Sequence, residues 1–187
     1  MRRLTQQAHD NCRTVLARGE IAVDATAGNG HDTLFLAQQV GPAGTVFAFD
    51  LQSEAINETA RRLQQHEFDN VALVQGDHAK LRELLPREFH GRVGAVMFNL
   101  GYLPGGDKKI TTMPSSTLAA LEQSLDLLRP GGIVTVLAYT GHAGGQDEAD
   151  AIRGLLGGLC DTSFDVTETP ADENSVTAPQ LLVVRKK

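Results

Sequence analysis

Along most of the chain, short apolar runs alternate with segments in which apolar residues recur every three or four positions. The short runs predict strands, and the recurring pattern predicts helices. Strands are predicted at residues 21–27, 45–50, 71–76, 93–100, 133–139, 164–169 and 181–185. Helices are predicted at residues 4–18, 31–40, 53–66, 80–85, 115–128 and 146–156, with Ser53 as an N-cap. The run Arg129-Pro130-Gly131-Gly132 is expected to stop the helix at 115–128.

Alternating strands and helices predict a parallel sheet with helices on both faces. The last two strands have no helix between them and must therefore pair antiparallel. A seven-stranded, mostly parallel sheet that ends in an antiparallel hairpin is typical of the Rossmann-like α/β fold of class I methyltransferases. The length of 187 residues fits one domain over residues 1–187.

Composition narrows the class of protein further. No apolar run is long enough to cross a bilayer, and the N-terminal residues do not resemble a signal peptide. The cysteines, Cys12 and Cys160, are isolated and form neither a disulfide framework nor a metal-binding spacing, which is typical of a cytoplasmic protein. We therefore expect no metal and no membrane partner.

The first candidate site is a glycine-rich turn between a strand and a helix. Gly28 and Gly30 allow a close backbone approach to a ligand, but Thr33 stands where a dinucleotide site has its third glycine. Asp32 would repel a pyrophosphate and suits the ammonium of an amino acid, such as the methionine part of S-adenosylmethionine (SAM). The candidate cofactor residues of this turn are Asp24, Thr26, Gly28, Asn29, Gly30, Asp32 and Thr33.

Two further acidic positions follow the next strands. Asp50 ends a strand about 20 residues after the glycine turn, where a carboxylate accepts hydrogen bonds from ribose hydroxyls. Asp77 and His78 follow the third strand: Asp77 is expected to accept from the adenine amine, and His78 to stack or donate. A capped helix start is an equally good interpretation of Asp77.

The loops after the fourth and fifth strands carry the acceptor candidates. Asn99 and Tyr102 begin a loop that continues through Pro104-Gly105-Gly106, where Asn99 is expected to hold an amine nucleophile and Tyr102 to pack on a base. Tyr139 and His142 follow the fifth strand and are candidates to orient or deprotonate a substrate, although a solvated turn is the alternative for His142. All four are our catalytic candidates.

Two strings of this sequence resemble the YtqB/MnmM family of rRNA-methylase-like proteins. They are Asp24-Ala25-Thr26-Ala27-Gly28-Asn29-Gly30-His31-Asp32 and Phe98-Asn99-Leu100-Gly101-Tyr102-Leu103-Pro104-Gly105-Gly106-Asp107-Lys108. The resemblance covers nearly the whole chain. It implies a SAM-dependent enzyme that methylates the aminomethyl group of a wobble uridine in tRNA. It also implies that Asn29, Asp32, Asp50, Gln52 and His78 contact SAM.

An RNA substrate needs local positive charge, because the net charge of −6 opposes broad nucleic-acid binding. Lys108 and Lys109, with Arg2 and Arg3, are the candidates to contact phosphates of the anticodon loop. The sequence does not decide between a monomer and a homodimer. Three other functions are alternatives to tRNA methylation: an rRNA methyltransferase, a small-molecule methyltransferase and, from another class, a nicotinamide dehydrogenase or non-catalytic nucleotide-binding module.

Overall fold

The computed structural model describes residues 3–106, 110–159, 162–170 and 178–187. The strands are β1 (Ile21–Asp24), β2 (Thr45–Asp50), β3 (Val71–Gln75), β4 (Val93–Asn99), β5 (Leu128–Ala138), β6 (Phe164–Pro170) and β7 (Gln180–Lys186). The helices are α1 (Leu4–Arg13), α2 (His31–Val40), α3 (Ser53–Gln65), α4 (Leu81–Leu84), α5 (Pro114–Leu127) and α6 (Gly145–Gly157), with short 3-10 helices at His78–Lys80 and Arg87–Phe89.

The seven strands form one sheet in the order β3-β2-β1-β4-β5-β7-β6. Strands β1 to β5 pair parallel with one another, whereas β7 pairs antiparallel with both β5 and β6. This confirms the expected class I methyltransferase fold. The chain leaves β1 toward β3 and then returns to add β4 beside β1, so the strand order reverses between β1 and β4. Ligands of open α/β sheets bind at the carboxyl ends of the strands at such a reversal.

The central strands are apolar because both faces of the sheet are covered. All residues of β1 and all of β4 except Asn99 are buried. One core lies between the sheet and α1 to α3, and includes Cys12, Leu36 and Val46. The other lies between the sheet and α4 to α6, and includes Phe98 and Leu121. Within the described segments, no helix combines the length and the apolar character needed to cross a membrane.

The end predicted for the first helix and the N-cap predicted for the third helix are wrong, and the ends of α3, α4, α5 and α6 differ from the prediction by at most one residue. The first helix ends at Arg13 rather than at residue 18, because the chain turns there while Leu16 keeps the apolar spacing and stays buried. Ser53 is the first helical residue and not the N-cap. Gln52 holds the cap position in an extended conformation, and its backbone N–H donates to Asp50 Oδ1 at 2.9 Å.

The helix α5 does end before Arg129, as expected, but its stop signal is part of the sheet. Leu128 is extended and pairs with Val93, and Ile133 then pairs with Ala95. The four residues between Leu128 and Ile133 therefore bulge out of the ladder, where Pro and Gly are tolerated.

Arg129 joins this bulge to the start of β1. Its Nε and Nη2 atoms donate to Glu20 Oε1 and Oε2 at 2.7 and 3.0 Å, and Nη2 also donates to the Val15 carbonyl. Burial alone would raise the pKa of Glu20. The hydrogen bonds from Arg129 and from the Ala17 N–H, together with the charge of Arg129, outweigh this and lower that pKa.

We expect Arg129→Met to lower the free energy of unfolding by about 2 kcal/mol, because Glu20 and the Val15 carbonyl lose their partner. Arg82→Met is the control, since the Arg82–Asp126 pair is exposed and worth little. A folded-state pKa that is lowered adds stability above the unfolded pKa of about 4.3, and this stability is lost as the pH falls through the folded pKa. Urea unfolding should therefore show a difference in the free energy of unfolding between Arg129→Met and wild type that becomes smaller in acid. A difference that persists unchanged in acid would contradict the ion pair as its source.

Candidate active site

A cavity of about 790 Å³ opens at the carboxyl ends of β1, β2, β3, β4 and β5. Its volume is typical of a site for a cofactor or drug-sized ligand. The walls come from the loops that follow these strands, so five segments far apart in sequence meet there. Of the residues predicted for the site, it brings together Thr26, Gly28, Asn29, Asp32, Asp50, Gln52, Asp77, His78, Asn99, Tyr102, Tyr139 and His142.

The glycine turn after β1 is held against α3. Gly28 and Gly30 have φ angles of 51° and 77°, in the left-handed region that favours glycine. A Cβ atom on Gly30 would lie 2.9 Å from the Thr59 Cα atom, and the Thr59 hydroxyl donates to the Gly28 carbonyl at 3.2 Å. Gly30 therefore shapes the turn from behind and is not part of the cavity wall.

Asp24 and Thr33 also lie behind the turn rather than in the cavity. Both are buried, and the Thr33 hydroxyl donates to Asp24 Oδ2 at 2.6 Å while the Thr26 N–H donates to Oδ1. Burial raises the pKa of Asp24, and the negative charge of Asp32 raises it further. Thr33, at the third-glycine position, thus connects the start of α2 to the end of β1. Neither Thr33 nor Asp24 has surface for a ligand, contrary to our expectation for both side chains.

Asp50 faces the cavity from the end of β2. Its Oδ2 accepts the Gly28 N–H and its Oδ1 accepts the Gln52 N–H, both at 2.9 Å. Each carboxylate oxygen keeps a second lone pair, so Asp50 can still accept hydroxyl hydrogens. It therefore connects the glycine turn to the loop of Gln52 and also presents an acceptor edge.

Asp77 and His78 lie on the same side of the cavity. Asp77 Oδ1 caps the following 3-10 helix by accepting the Ala79 N–H at 2.9 Å, so the capping interpretation is correct for that oxygen. Burial lowers the pKa of His78. Its Nδ1 lies 3.2 Å from the Ala25 carbonyl and must carry the hydrogen, because a carbonyl only accepts. The buried Nε2, which has no partner among the described residues, is then an acceptor and not the donor we expected.

Asp32 connects three parts of the site. Its Oδ1 lies 2.6 Å from His9 Nε2, and its Oδ2 accepts from Asn99 Nδ2 at 3.2 Å. The His9 ring stacks on Phe35, with ring centroids 3.8 Å apart. We call residues 99–113, which run from the end of β4 to the start of α5, the acceptor loop. The first helix, the glycine turn and the acceptor loop therefore meet at one carboxylate.

The acceptor loop after β4 lies over the glycine turn. The Asn99 N–H donates to the Thr26 hydroxyl at 2.7 Å, and Asn29 Nδ2 donates to the Pro104 carbonyl at 3.3 Å. Tyr102 pairs with Thr111 in an isolated β-bridge, so the two arms of the loop run side by side. This arrangement places Asn99 and Tyr102 on one wall of the cavity.

Glu148, on α6, anchors the returning arm of that loop. Its buried carboxylate accepts the hydroxyl hydrogens of Thr112 at 2.8 Å and Thr117 at 2.6 Å. Thr112 in turn accepts the Gly101 N–H through its hydroxyl and donates its own N–H to the Gly101 carbonyl. The acceptor loop is thus fixed at its base by a buried hydrogen-bond network.

Tyr139 and His142 complete the wall after β5. Burial raises the pKa of Tyr139, and the charge of Asp32 raises it further, so its hydroxyl is a donor rather than a base at neutral pH. The His142 and Tyr102 rings pack edge to face with centroids 6.1 Å apart. His142 Nδ1 lies 3.1 Å from the Ala143 carbonyl, and its Nε2 is buried with no partner among the described residues.

The predicted phosphate contacts are mostly outside what the structure describes. Arg2, Lys108 and Lys109 lie outside the described residues. Arg3 is exposed just before α1 and does not line the cavity. Within the described ranges, no group of three or more His, Cys, Asp or Glu side chains has the geometry to hold a metal ion.

Sequence reasoning missed His9 and Glu148. His9 sits beside the buried Ala8 on α1, and a residue next to the apolar stripe was a weak signal for it. Glu148 lies in the first turn of α6, where a carboxylate is ordinarily a solvated residue that favours the helix N-terminus. Nothing local separates the buried Glu148 from such a residue.

A family model described as "Putative rRNA methylase" matches residues 46–185. A second model, described as "Protein-L-isoaspartate(D-aspartate) O-methyltransferase (PCMT)", matches residues 6–81, which is less than half of the chain. That shorter match contains the glycine turn, Asp50 and His78. The chain is also 38% identical over 167 residues to the Arabidopsis thaliana protein named "tRNA (mnm(5)s(2)U34)-methyltransferase, chloroplastic". The alignment covers 84% of this chain, which spans 60% of the length of that relative.

Solved structures also match over the whole chain. A putative rRNA methylase from Clostridium thermocellum has a TM-score of 0.94 and 37% identity, with coverage of 100% of this chain and 99% of that one. A putative methyltransferase from Streptococcus mutans, solved in complex with SAH, has a TM-score of 0.88, 33% identity and the same coverage. These matches confirm the fold class and the family that the two sequence strings indicated.

The raised pKa of Asp24 predicts a pH dependence of stability. Between the unfolded pKa of about 3.9 and the higher folded pKa, the folded chain binds more protons than the unfolded chain, so stability falls as the pH rises. In Asp24→Asn this fall in stability with rising pH should be lost, because the amide stays neutral. The amide can still hydrogen-bond to Thr33 and accept the Thr26 N–H, so the fold is kept. Thermal unfolding from pH 5 to 8 measures this dependence. Equal slopes in wild type and variant would contradict a raised pKa, and Asp69→Asn, at an exposed position, is the control.

Proposed function

The chain belongs to the "Putative rRNA methylase" family, and on that premise we propose that it is a SAM-dependent methyltransferase acting on an RNA amine. The acceptor we propose is the aminomethyl group of 5-aminomethyl-(2-thio)uridine at the wobble position of tRNA. The activity named for the Arabidopsis thaliana relative supports this choice. The observation that carries the proposal is the contact between the glycine turn and the acceptor loop, in which Asp32 and Thr26 both hydrogen-bond to Asn99.

The residues on one side of the cavity fit the adenosine part of SAM. Asp50 offers carboxylate oxygens for two ribose hydroxyls, and its bonds to the Gly28 and Gln52 N–H groups fix its direction. The buried His78 Nε2, which has no partner among the described residues, fits a donor such as the adenine amine. Leu51, which is 54% exposed beside Asp50, offers an apolar surface for a purine face. The cofactor supplies an electrophilic methyl group on a sulfonium.

The other side of the cavity fits a planar amine-bearing substrate. The amine must present a neutral nitrogen lone pair in line with the sulfur–methyl bond that breaks. Correct placement of the two reactants supplies much of the rate enhancement. We propose that Asn99 orients the amine and that the Tyr102 ring packs on the base. Tyr139 keeps its proton at neutral pH because of its raised pKa, so it acts as a donor and not as the base. The amine proton leaves to solvent through the open cavity mouth.

Recognition of RNA on an acidic protein must depend on local contacts. We propose that Lys108 and Lys109 contact anticodon-loop phosphates, since in sequence they lie within the acceptor loop, between Tyr102 and Thr111. Ribosomal RNA is the second candidate substrate, because the family description and the Clostridium structure both carry that name. We further propose a cytoplasmic location from the two isolated cysteines.

The test is methylation of purified RNA. Calorimetry should first show binding of SAM in preference to NAD. A tRNA that carries the aminomethyl group but lacks its methyl group is then incubated with labelled SAM, and ribosomal RNA is incubated in a separate sample. The nucleosides of both samples are analysed by mass spectrometry. Methylaminomethyl uridine formed in the tRNA sample supports the proposal. A methylated nucleoside formed only in ribosomal RNA would replace the substrate, and tight NAD binding without SAM binding would reject the enzyme class.

Asp50→Ala should weaken SAM binding by about 1–3 kcal/mol, because ribose hydroxyls lose their acceptor and the Gly28 and Gln52 N–H groups lose theirs. Isothermal calorimetry measures the affinity, and the melting temperature reports whether the fold survives. Asp69→Ala is the control and should bind SAM as wild type does. An Asp50→Ala protein that stays folded with unchanged affinity would place the ribose elsewhere.

Tyr102→Ala should lose most of the turnover while the affinity for SAM stays within a few-fold, because Tyr102 lies on the part of the cavity wall that the acceptor loop forms. Tyr102→Phe is the matched variant. It keeps the ring that packs on the base and against His142, so it should retain most of the rate. Methylation kinetics and SAM calorimetry measure the two quantities separately. If Phe is as damaging as Ala, the hydroxyl and not the ring is what the reaction needs.

A further inference from the structure

His9 lies far from the motifs that predict the site, yet its ring reaches the carboxylate at their centre. The imidazole Nε2 is 2.6 Å from Asp32 Oδ1. The two side chains are 18% and 12% exposed, so little water competes for the bond. Because a carboxylate oxygen only accepts, Nε2 carries the hydrogen and donates it.

The ring of His9 is itself fixed in place. It stacks on Phe35 of α2 with an interplanar angle of 5°. The guanidinium of Arg13, one turn further along α1, lies 4.9 Å from the centroid of the same Phe35 ring and bonds Asp10. The direction of the Nε2–H bond is therefore set by packing between two helices.

The second oxygen of Asp32 determines which way the Asn99 amide faces. An Asn side chain has a donor end and an acceptor end, and the two can exchange by a half-turn. Asp32 Oδ2 lies 3.2 Å from Asn99 Nδ2, and a carboxylate accepts from the NH₂ end while it would repel the carbonyl end. The amide oxygen Oδ1 is thereby left as the end that can accept an N–H from a substrate amine.

We propose that His9 is a positioning residue of the methyl-transfer site, which holds Asp32 so that Asp32 in turn fixes the Asn99 amide with its oxygen toward the acceptor amine. This inference rests on the proposed function for its kinetic consequence. The orientation of the amide is independent of that function and can be measured on the protein alone. His9 does not line the cavity, so it acts through Asp32, which does.

Three substitutions separate the hydrogen bond from the packing. His9→Gln can place an amide N–H close to the position of Nε2 and keep the bond to Asp32. His9→Asn is too short to reach that position. His9→Phe keeps the stack on Phe35 and removes the donor. Melting temperatures of all three confirm that each variant is folded.

The first readout is the Asn99 side-chain NH₂ signal in an ¹⁵N-correlated spectrum, which is identified by its loss in Asn99→Ala. We expect this signal to keep its position in His9→Gln and to move in both His9→Asn and His9→Phe. An unchanged signal in the folded Asn and Phe variants would overturn the inference, whether or not the protein methylates RNA.

The second readout is turnover at saturating SAM. His9→Phe should lose about ten- to a hundredfold in kcat, as expected when a supporting residue is removed and a reacting group shifts, and His9→Gln should recover most of it. A double-mutant cycle then tests the route. In the Asn99→Ala background, His9→Phe should have little further effect. Independent, multiplying losses would show that His9 acts by general packing and would overturn the inference.

The two proposals fail differently. If wild type methylates none of the RNAs, the proposed function fails, and the amide signal still decides the role of His9. If wild type is active and His9→Phe matches its kcat, the proposed function stands and the role of His9 is rejected.

Discussion

The hydrogen bond from the Asn99 N–H to the Thr26 hydroxyl, 2.7 Å long, joins the ends of the two strands between which the strand order reverses. Loops that leave a sheet at such a reversal diverge, because their helices cover opposite faces. Here the loop after β1 leads to α2 and the loop after β4 leads to α5, on different sides of the sheet. The hydrogen bond at Thr26 holds the two loops together, so that the glycine turn and the acceptor loop lie on one cavity wall. The bonds of Asp32 to Asn99 and of Asn29 to Pro104 depend on this approach.

Local chemistry explains how much of the fold was predictable. Helix α2 and strand β2 were predicted to the residue, because Gly30 and Gly41 bound the helix with positive φ angles and Gly44 separates it from the strand. The end of α1 was not predictable in this way, since Leu16 stays buried after the helical turn is lost. Periodicity reports burial, and burial continues past a helix end when the chain keeps to the same core.

The site was predictable where its residues follow strands and not where they come from helices. Asp50, His78, Asn99 and Tyr139 all line the cavity because topology alone brings strand ends to one edge. Asp24 and Thr33 belong to the same string but bond each other beneath it, which depends on the path of the turn. Glu148 is 36 positions from Thr112, its partner, and only the packing of α6 on α5 brings them together.

The position of β7 between β5 and β6 has a consequence for how the chain folds during synthesis. Strand β6 is made before β7 but has no neighbour in the sheet until β7 arrives, and β5 keeps an open edge for the same period. An unpaired edge of a parallel sheet is a template for wrong pairing. On the ribosome, β1 to β5 can form their ladder early, whereas β6 can join the sheet only when β7 is inserted between β5 and β6.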